Sequence, residues 1–452
     1  MAAPVGTPLA GAPSAPSTAA AATQPRRGRR SRLVWAAALV LVAVSLVVRL
    51  AYVGGTPDPP LVHDGLDYDG HAVSIAQGHG FSDSLAHGRP TAFRPPAYPY
   101  LLGGVYRLAG VENADEQRRV HVARVAQAVT GAVLVGMIGL VAAQLWGGAV
   151  ALAAMALGAV YVPLVTMSGT VMSEPLFCVF MLACLGAAVQ HRRSPHRIRW
   201  ALTAGVLAGL AILTRANALI LLLPLALAVW DTRPRLSLRA LIPPAVLVAA
   251  AALAVSPWTI RNAVKLHAFV PVSTQLGSAL AGTYNDTART DPKHPASWRS
   301  IRTVPEYADL WAAVPRTPEA DLERRLRARS IAYARDHPGY VAEVAMWTTL
   351  RGLDLTGLDW ARHTASTVSI DRRWADLGVY CFWVFALLAV AGAFTRLARR
   401  APGYVWAFPA LMYLSVVFLV IETPRYRTPI DPFLVLLAAL AVVTAARRLA
   451  GR

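Results

Sequence analysis

Residues 33–53 read LVWAAALVLVAVSLVVRLAYV, directly after a basic run of Arg26, Arg27, Arg29, Arg30 and Arg32. A hydrocarbon layer about 30 Å thick is crossed by roughly 20 apolar helical residues, so this stretch predicts a transmembrane helix. The same reading recurs along the chain at 120–146, 149–166, 176–190, 200–213, 218–230, 240–255, 377–394, 405–421 and 432–446. The runs at 200–213 and 218–230 are short, and whether they fully span is left open. Composition agrees: the 452 residues are 55% hydrophobic and 15% charged, with a mean hydropathy of +0.44, which excludes an ordinary soluble protein. The fold class expected is an all-α polytopic membrane protein with about ten transmembrane helices and two long extracytoplasmic loops.

A net charge of +19 raises the question of nucleic acid, but the basic residues lie in small clusters between apolar runs rather than on one domain face. No nucleic-acid partner is expected. The clusters orient the helices instead. After the basic run before span one, Arg192–Arg199, Arg233–Arg239, Arg396–Arg400 and Arg447–Arg452 follow spans four, six, eight and ten, so all fall on one side, which the positive-inside rule makes the cytoplasm. Ten spans, or eight with the two short runs as a re-entrant pair, satisfy this count. The expectation is a multi-pass plasma-membrane protein with both termini cytoplasmic. Residues 1–32 form a disordered basic terminus in this reading, and the run after Arg32 exceeds a signal-peptide core, so it reads as an uncleaved anchor. Cys178, Cys184 and Cys381 all sit in predicted spans, with no disulfide or zinc framework readable.

With the termini inside, four regions result: the terminus 1–32, an N-terminal transmembrane catalytic module 33–258 that includes the extracytoplasmic loop 54–119, an extracytoplasmic subdomain 259–373, and C-terminal helices 374–452. Within the first loop, residues 97–110 are apolar but too short to cross and suit the membrane surface. In the second, Thr317-Pro318-Glu319 predicts a helix start with Thr317 as cap, and Leu322, Leu326 and Tyr333 recur at near-helical spacing. The arginines around them, Arg324 to Arg329, read as a solvated face.

Candidate chemistry lies at the expected outer rim. The run His63-Asp64-Gly65-Leu66-Asp67-Tyr68-Asp69-Gly70-His71 holds three carboxylates and two imidazoles where the chain leaves the membrane. A partly desolvated aspartate there can act as a general base; an ordinary polar loop with Asx turns is the plainer alternative. Oxygen and nitrogen ligands also suit a divalent cation, although the spacing is not that of a calcium loop. Further along, Arg94 in the Pro-rich run 90–99 is a bidentate donor suited to phosphate. Glu174 opens span four before Pro175 and behind Ser173, the expected cap, where a carboxylate complements the helix dipole and where membrane-proximal acids gain functional weight. Arg215, Arg261, Arg425 and Arg427 complete the rim, and arginine on this side points to an anionic partner.

These elements together resemble a GT-C-type glycosyltransferase, of the bacterial "family 39" branch related to protein mannosyltransferases and to the aminoarabinose transferase of lipid A. The matching pieces are Asp64, Tyr68 and Ala72; Gly78-His79-Gly80-Phe81; Arg94-Pro95-Pro96-Ala97-Tyr98; Glu174–Phe177; Leu213–Arg215; Pro257–Asn262; and Arg425–Pro429. Two departures stand out: Gly65 replaces the acid that follows the first aspartate in protein mannosyltransferases, and no soluble C-terminal domain follows the last span. The resemblance implies a hexosyl- or pentosyltransferase that takes a sugar from a polyprenyl-phosphate donor, in the bilayer, to an extracytoplasmic glycan, protein or lipid acceptor, with inversion. Asp64 would be the base, Glu174 a second acid positioning the acceptor or a divalent cation held with Asp64. Asp67, Tyr68, Arg94, Tyr98, Arg215, Arg261, Arg425, Tyr426 and Arg427 would bind substrate, with Arg425 and Arg427 on the phosphate. A transporter or flippase for a lipid-linked or envelope substrate is the main rival, a non-catalytic scaffold of an envelope-synthesis complex the second. Transporters place ionisable groups near the bilayer midplane, whereas here they gather at one rim.

Overall fold

The computed structural model describes residues 25–82, 88–230, 237–418 and 425–451. Among them the backbone is helical throughout, apart from turns and one isolated bridge between Ser82 and Pro90. Hydrocarbon explains this, because each N–H and C=O must find its partner within its own segment, and a helix supplies one. In chain order the helices are α1 Pro25–Gly55, α2 Asp64–Ala76, α3 Ala97–Ala109, α4 Glu116–Trp146, α5 Gly148–Val160, α6 Val162–Met167, α7 Glu174–His191, α8 Arg197–Thr214, α9 Leu222–Val229 and α10 Leu238–Leu266. Then follow α11 Gln275–Thr283, α12 Asp286–Arg289, α13 Ala308–Ala313, α14 Glu319–Asp336, α15 Pro338–Gly352, α16 Leu358–Ser366, α17 Arg372–Ala393, α18 Arg396–Arg400, α19 Gly403–Val417 and α20 Asp431–Leu449.

Among the described residues, seven helices are long and apolar enough to cross a membrane: α1 from Arg32, α4, α7, α8, α10, α17 and α20. Three shorter apolar units complete the set, namely α5, the 3-10 turn Ala216–Leu221 continued by α9, and α19. They stand where the ten runs were expected. The run at 200–213 proves to belong to an 18-residue helix, whereas the one at 218–230 stays short and begins as a 3-10 turn. The run at 149–166 is broken: Tyr161 is extended and α6 restarts with Pro163 in its first turn. Proline lacks the N–H and clashes with the carbonyl four residues back, which favours a break or kink at this point; here the chain breaks, whereas α10 continues through Pro257.

At the N-terminus α1 already begins at Pro25, so the basic run is helical where disorder was expected, and residues 1–24 lie outside the described residues. Arg233 and Arg235 also lie outside them. The first loop holds α2 and α3, packed together through Tyr68, Ala72, Ala76, Tyr98, Leu102 and Tyr106. Gly103 permits the contact, since a Cβ there would meet the Ala72 carbonyl oxygen at 2.9 Å. The outer side of α3 leaves Leu101 and Leu108 exposed, as a surface-lying helix would.

In the second loop α10 runs on to Leu266, beyond the boundary expected at 258. Helix α14 forms where its spacing predicts, but Thr317 does not cap it: Pro318 holds the cap position and the Thr317 hydroxyl donates back to the Ala313 carbonyl. The arginines of α14 are engaged within their own subdomain, Arg324 with Asp321 at 2.5 Å and Arg329 with Asp309 at 2.6 Å, as a solvated face should be. Glu319 ties the two loops together. Its Oε1 accepts from Ala92 N at 3.0 Å and from Thr274 Oγ1 at 2.5 Å, while Thr274 N donates to Ala92 O. This fixes the strand-like approach to Arg94, two residues on.

Candidate active site

Antiparallel succession of helices brings the start of α7, the end of α8 and the start of α20 to one end of the bundle, and α2 lies across that end. Six charged side chains meet there. Arg94 Nη2 donates to Asp64 Oδ1 and to Asp67 Oδ2, both at 2.5 Å, and its Nε reaches Asp67 Oδ2 at 3.1 Å. Arg425 bridges the two expected acids, with Nη2 to Asp64 Oδ2 at 2.5 Å and Nε to Glu174 Oε1 at 2.6 Å. Arg215 Nη1 donates to the same Glu174 Oε1 at 2.7 Å. Three carboxylates and three guanidiniums therefore form one chain, Asp67, Arg94, Asp64, Arg425, Glu174, Arg215, whose formal charges cancel.

Arg94 and Glu174 are buried, Glu174 wholly, while Asp64, Asp67, Arg215 and Arg425 keep a small part of their side chains exposed. Burial opposes the charge of Asp64, yet Arg425 and Arg94 outweigh it and hold that carboxyl well below the usual range. By the same pairing Arg94 is held above its ordinary value despite burial. This differs from the basis of the expectation, in which desolvation alone made Asp64 a readier base.

Tyrosines and a serine frame the ions. Tyr426 lies beneath two guanidiniums at once, Arg425 at 4.9 Å and Arg215 at 5.4 Å from its ring centre, within cation–π range. Tyr68 donates to Ser173 Oγ at 3.1 Å and packs edge-on against Tyr98. Ser173, expected as the cap of α7, makes no such bond; its hydroxyl instead takes Tyr68 and, at 3.4 Å, Arg215. Four buried polar atoms around the cluster have no hydrogen-bond partner among the described residues: Arg94 Nη1, Tyr98 OH, Glu174 Oε2 and Arg215 Nε. Native interiors rarely leave such atoms unsatisfied; Arg427 Nε, Thr428 Oγ1 and Asp431 Oδ2 share the condition beside the cluster.

The structure thus gathers Asp64, Asp67, Tyr68, Arg94, Tyr98, Glu174, Arg215, Arg425 and Tyr426. It does not gather Arg427 or Arg261. Arg427 turns to a separate pair, Asp354 at 2.6 Å and Asp431 at 3.3 Å, and packs over Phe382. Arg261 donates to the backbone carbonyls of Phe81 and Thr91 and stacks on Trp258 at 4.8 Å; it anchors the loop that carries Arg94. Asp69, five residues after Asp64, is spent on Arg119 at 2.8 Å and on the Tyr106 hydroxyl at 2.7 Å. Among the described residues, the buried cations Arg49, Arg124 and Arg351 have no counterpart in the expectations. Arg49, inside the first apolar run, donates to Ser45 Oγ at 2.6 Å and Ser168 Oγ at 3.2 Å, and to the Gly158 and Ala159 carbonyls, satisfying the end of α5 where the chain breaks. A lone arginine deep in an apolar run is the signal that marks it.

Asp64 and Glu174 were the residues expected to hold a divalent cation if one takes part, and in this arrangement Glu174 Oε2 is, among the described residues, the one of their oxygens without a partner. Both Asp64 oxygens and Glu174 Oε1 already accept from guanidiniums, whose charge repels a cation and invites an anion.

Fold and site together define an all-helical polytopic membrane protein with a charged cluster at one end of its bundle. Residues 93–260 match the family model described as dolichyl-phosphate-mannose-protein mannosyltransferase, a segment that contains Arg94, Tyr98, Glu174 and Arg215. No curated protein matches the chain. Among solved structures it is similar to the apo oligosaccharyltransferase of Archaeoglobus fulgidus, at 14% identity and a TM-score of 0.52, covering 91% of this chain and 51% of that one. It is similar as well to the same organism's AglB in complex with an inhibitory peptide and a dolichol-phosphate, at 13% identity and TM-score 0.51, covering 91% and 50%. ArnT of Cupriavidus metallidurans bound to undecaprenyl phosphate gives 18% identity, TM-score 0.43 and coverage of 90% and 78%. The chain spans about half the length of the oligosaccharyltransferase it matches.

Proposed function

We propose that the chain is a membrane glycosyltransferase, moving a hexosyl or pentosyl group from a polyprenyl-phosphate donor to a hydroxyl-bearing acceptor, a glycan, protein or lipid, at the extracytoplasmic face. The observation that carries this reading is the buried cluster at one end of the bundle, where Arg94, Arg215 and Arg425 converge with unpartnered polar atoms around them. Two further points support it. The family model that matches residues 93–260 is that of a mannosyltransferase using a dolichyl phosphate, and the structurally similar AglB holds a dolichol-phosphate. Arg192–Arg199, joining the far ends of the helices that carry Glu174 and Arg215, lies at the opposite end of the bundle, which supports an extracytoplasmic cluster end with both termini cytoplasmic.

In this mechanism the lipid tail stays in hydrocarbon and its phosphate meets Arg425 and Arg215, held side by side over Tyr426. The acceptor oxygen attacks the anomeric carbon, the bond from that carbon to the phosphate oxygen breaks with its electron pair going to phosphate, and the guanidiniums stabilise the developing charge. Asp64 takes the acceptor proton, and attack opposite the leaving group inverts the centre. Glu174, gripped by two arginines, orients them. Charges grouped at helix ends rather than near the midplane favour this over a transporter. The test is to incubate purified protein with a panel of polyprenyl-phosphate sugars and acceptors: released polyprenyl phosphate is expected with one donor, and no turnover with any would reject the reading.

A further inference from the structure

We propose that Asp64 and the lipid phosphate are alternative partners of Arg425, so that the resting site carries its own counter-ion and the donor must displace it. The inference rests on the reading of the cluster as a phosphate site and adds a gate to it.

Three observations lead there. The charges of the cluster cancel one for one, and its members hold each other directly: each Asp64 oxygen accepts from one arginine, Oδ1 from Arg94 and Oδ2 from Arg425, both at 2.5 Å. An anion entering this set adds negative charge to a neutral, buried group unless one carboxylate gives up a cation. The two acids on Arg425 are not equally able to do so. Glu174 is completely enclosed, with two arginines on one oxygen, so releasing it leaves a bare carboxylate where water does not reach. Asp64 keeps 19% of its side chain exposed and retains Arg94 when Arg425 leaves. It is the member that can let go.

The consequence joins binding to chemistry. While Arg425 grips Asp64 Oδ2, that oxygen is already an acceptor and is a poor site for a proton. Transfer of Arg425 to the phosphate frees Oδ2, at the moment the donor is in place, to receive the acceptor's proton. After transfer the neutral, protonated Asp64 leaves the arginines to the product phosphate. Loss of that proton restores the carboxylate, which reclaims Arg425 and helps to expel the product. The same side chain would thus keep the empty site closed, become the base only when donor is bound, and drive release.

Binding can test this without turnover. Farnesyl phosphate is titrated into the purified full-length protein in detergent, at one pH and ionic strength, for wild type, Asp64→Asn, Asp67→Asn, Arg425→Gln and the double variant Asp64→Asn/Arg425→Gln. A competitor removed from Arg425 is worth about one charge-assisted hydrogen bond, so Asp64→Asn is expected to bind about tenfold tighter. Asp67→Asn, whose carboxylate contacts Arg94 and not Arg425, is expected to gain less. Arg425→Gln should bind more weakly, and Asp64→Asn should bring no gain in its background. Asp64→Ser serves if the Asn variant does not elute as a folded species. Equal or weaker binding by the Asp64 variants, or an equal gain from Asp67→Asn, overturns the gate while leaving the phosphate site standing. Failure of every variant and of wild type to bind overturns the phosphate site and the gate together.

Discussion

Arg425 and Arg427 sit two residues apart on one 3-10 turn, and both are buried against two carboxylates. Their surroundings differ in kind. Arg425 joins a set of three carboxylates and three guanidiniums. Arg427 is enclosed by Asp354, Asp431 and the face of Phe382, at the junction of α17 and α20. Helix α2 repeats the contrast, since Asp64 faces the shared set while Asp69 is closed off by Arg119 and Tyr106. A buried ion pair by itself says little about function, because such pairs are often just tolerated structure. What separates the two is the number of cations: three guanidiniums converge on the first set, whereas Arg427 is the cation that meets Asp354 and Asp431.

The contrast breaks most easily on α2. Asp64→Asn should lower transfer by about 10²- to 10⁴-fold, the range for losing a general base, with the protein still folded in detergent. Asp69→Asn should instead cost about 3 kcal/mol of stability by stranding Arg119 in a partly buried position, with turnover per folded molecule near that of wild type. Equal activity loss in both, normalised to folded protein, would erase the distinction.

On the 3-10 turn, Arg425→Ala should reduce turnover by about 10²- to 10³-fold, the cost of removing a donor to developing charge. Arg427→Ala should act through stability, at about 3–5 kcal/mol for stranding a buried carboxylate, read as a lower melting temperature in detergent. The expectation that placed Arg427 on the phosphate fails if its loss behaves this way.

A pH series sharpens the electrostatic side. Asp64 has a folded-state carboxyl below its unfolded one, so its pairing contributes stability above the unfolded value of about 4 and loses it only as pH falls through the lower folded value. The melting difference between wild type and Asp64→Asn should therefore be flat from about pH 8 to about pH 5 and shrink below about pH 4. A difference that changes near neutrality would assign the group the wrong environment. The smallest effect expected is at Tyr98, whose buried hydroxyl lacks a partner: Tyr98→Phe should leave the melting temperature unchanged or raise it slightly, and lower kcat/KM a few-fold where that hydroxyl meets substrate.

Much of this was legible in the chain because hydrocarbon imposes a simple length code. Apolar runs near 20 residues announce themselves, and basic connections sort them by side. The interruption at Tyr161 was not legible, since a run with one proline reads as continuous until packing shows where it bends. Of the candidate site, residue types and their rim position could be read, and the family spacing singled out Asp64 among its acidic neighbours. Pairing could not. Asp64 and Arg425 are 361 residues apart, and nothing local tells Arg425 from Arg427 or sends Ser173 to Tyr68 rather than to its own helix. Arg49 was hidden for the opposite reason, as one charge that an average over an apolar run absorbs.

The central claim is that the lipid phosphate belongs to the shared cluster and not to the enclosed pair. A structure of the full chain with polyprenyl phosphate bound tests it most directly. The account predicts the phosphate within hydrogen-bond distance of Arg425 and Arg215, with Arg427 still on Asp354 and Asp431. A phosphate on Arg427, or one seated away from both arginines of the cluster, would contradict it.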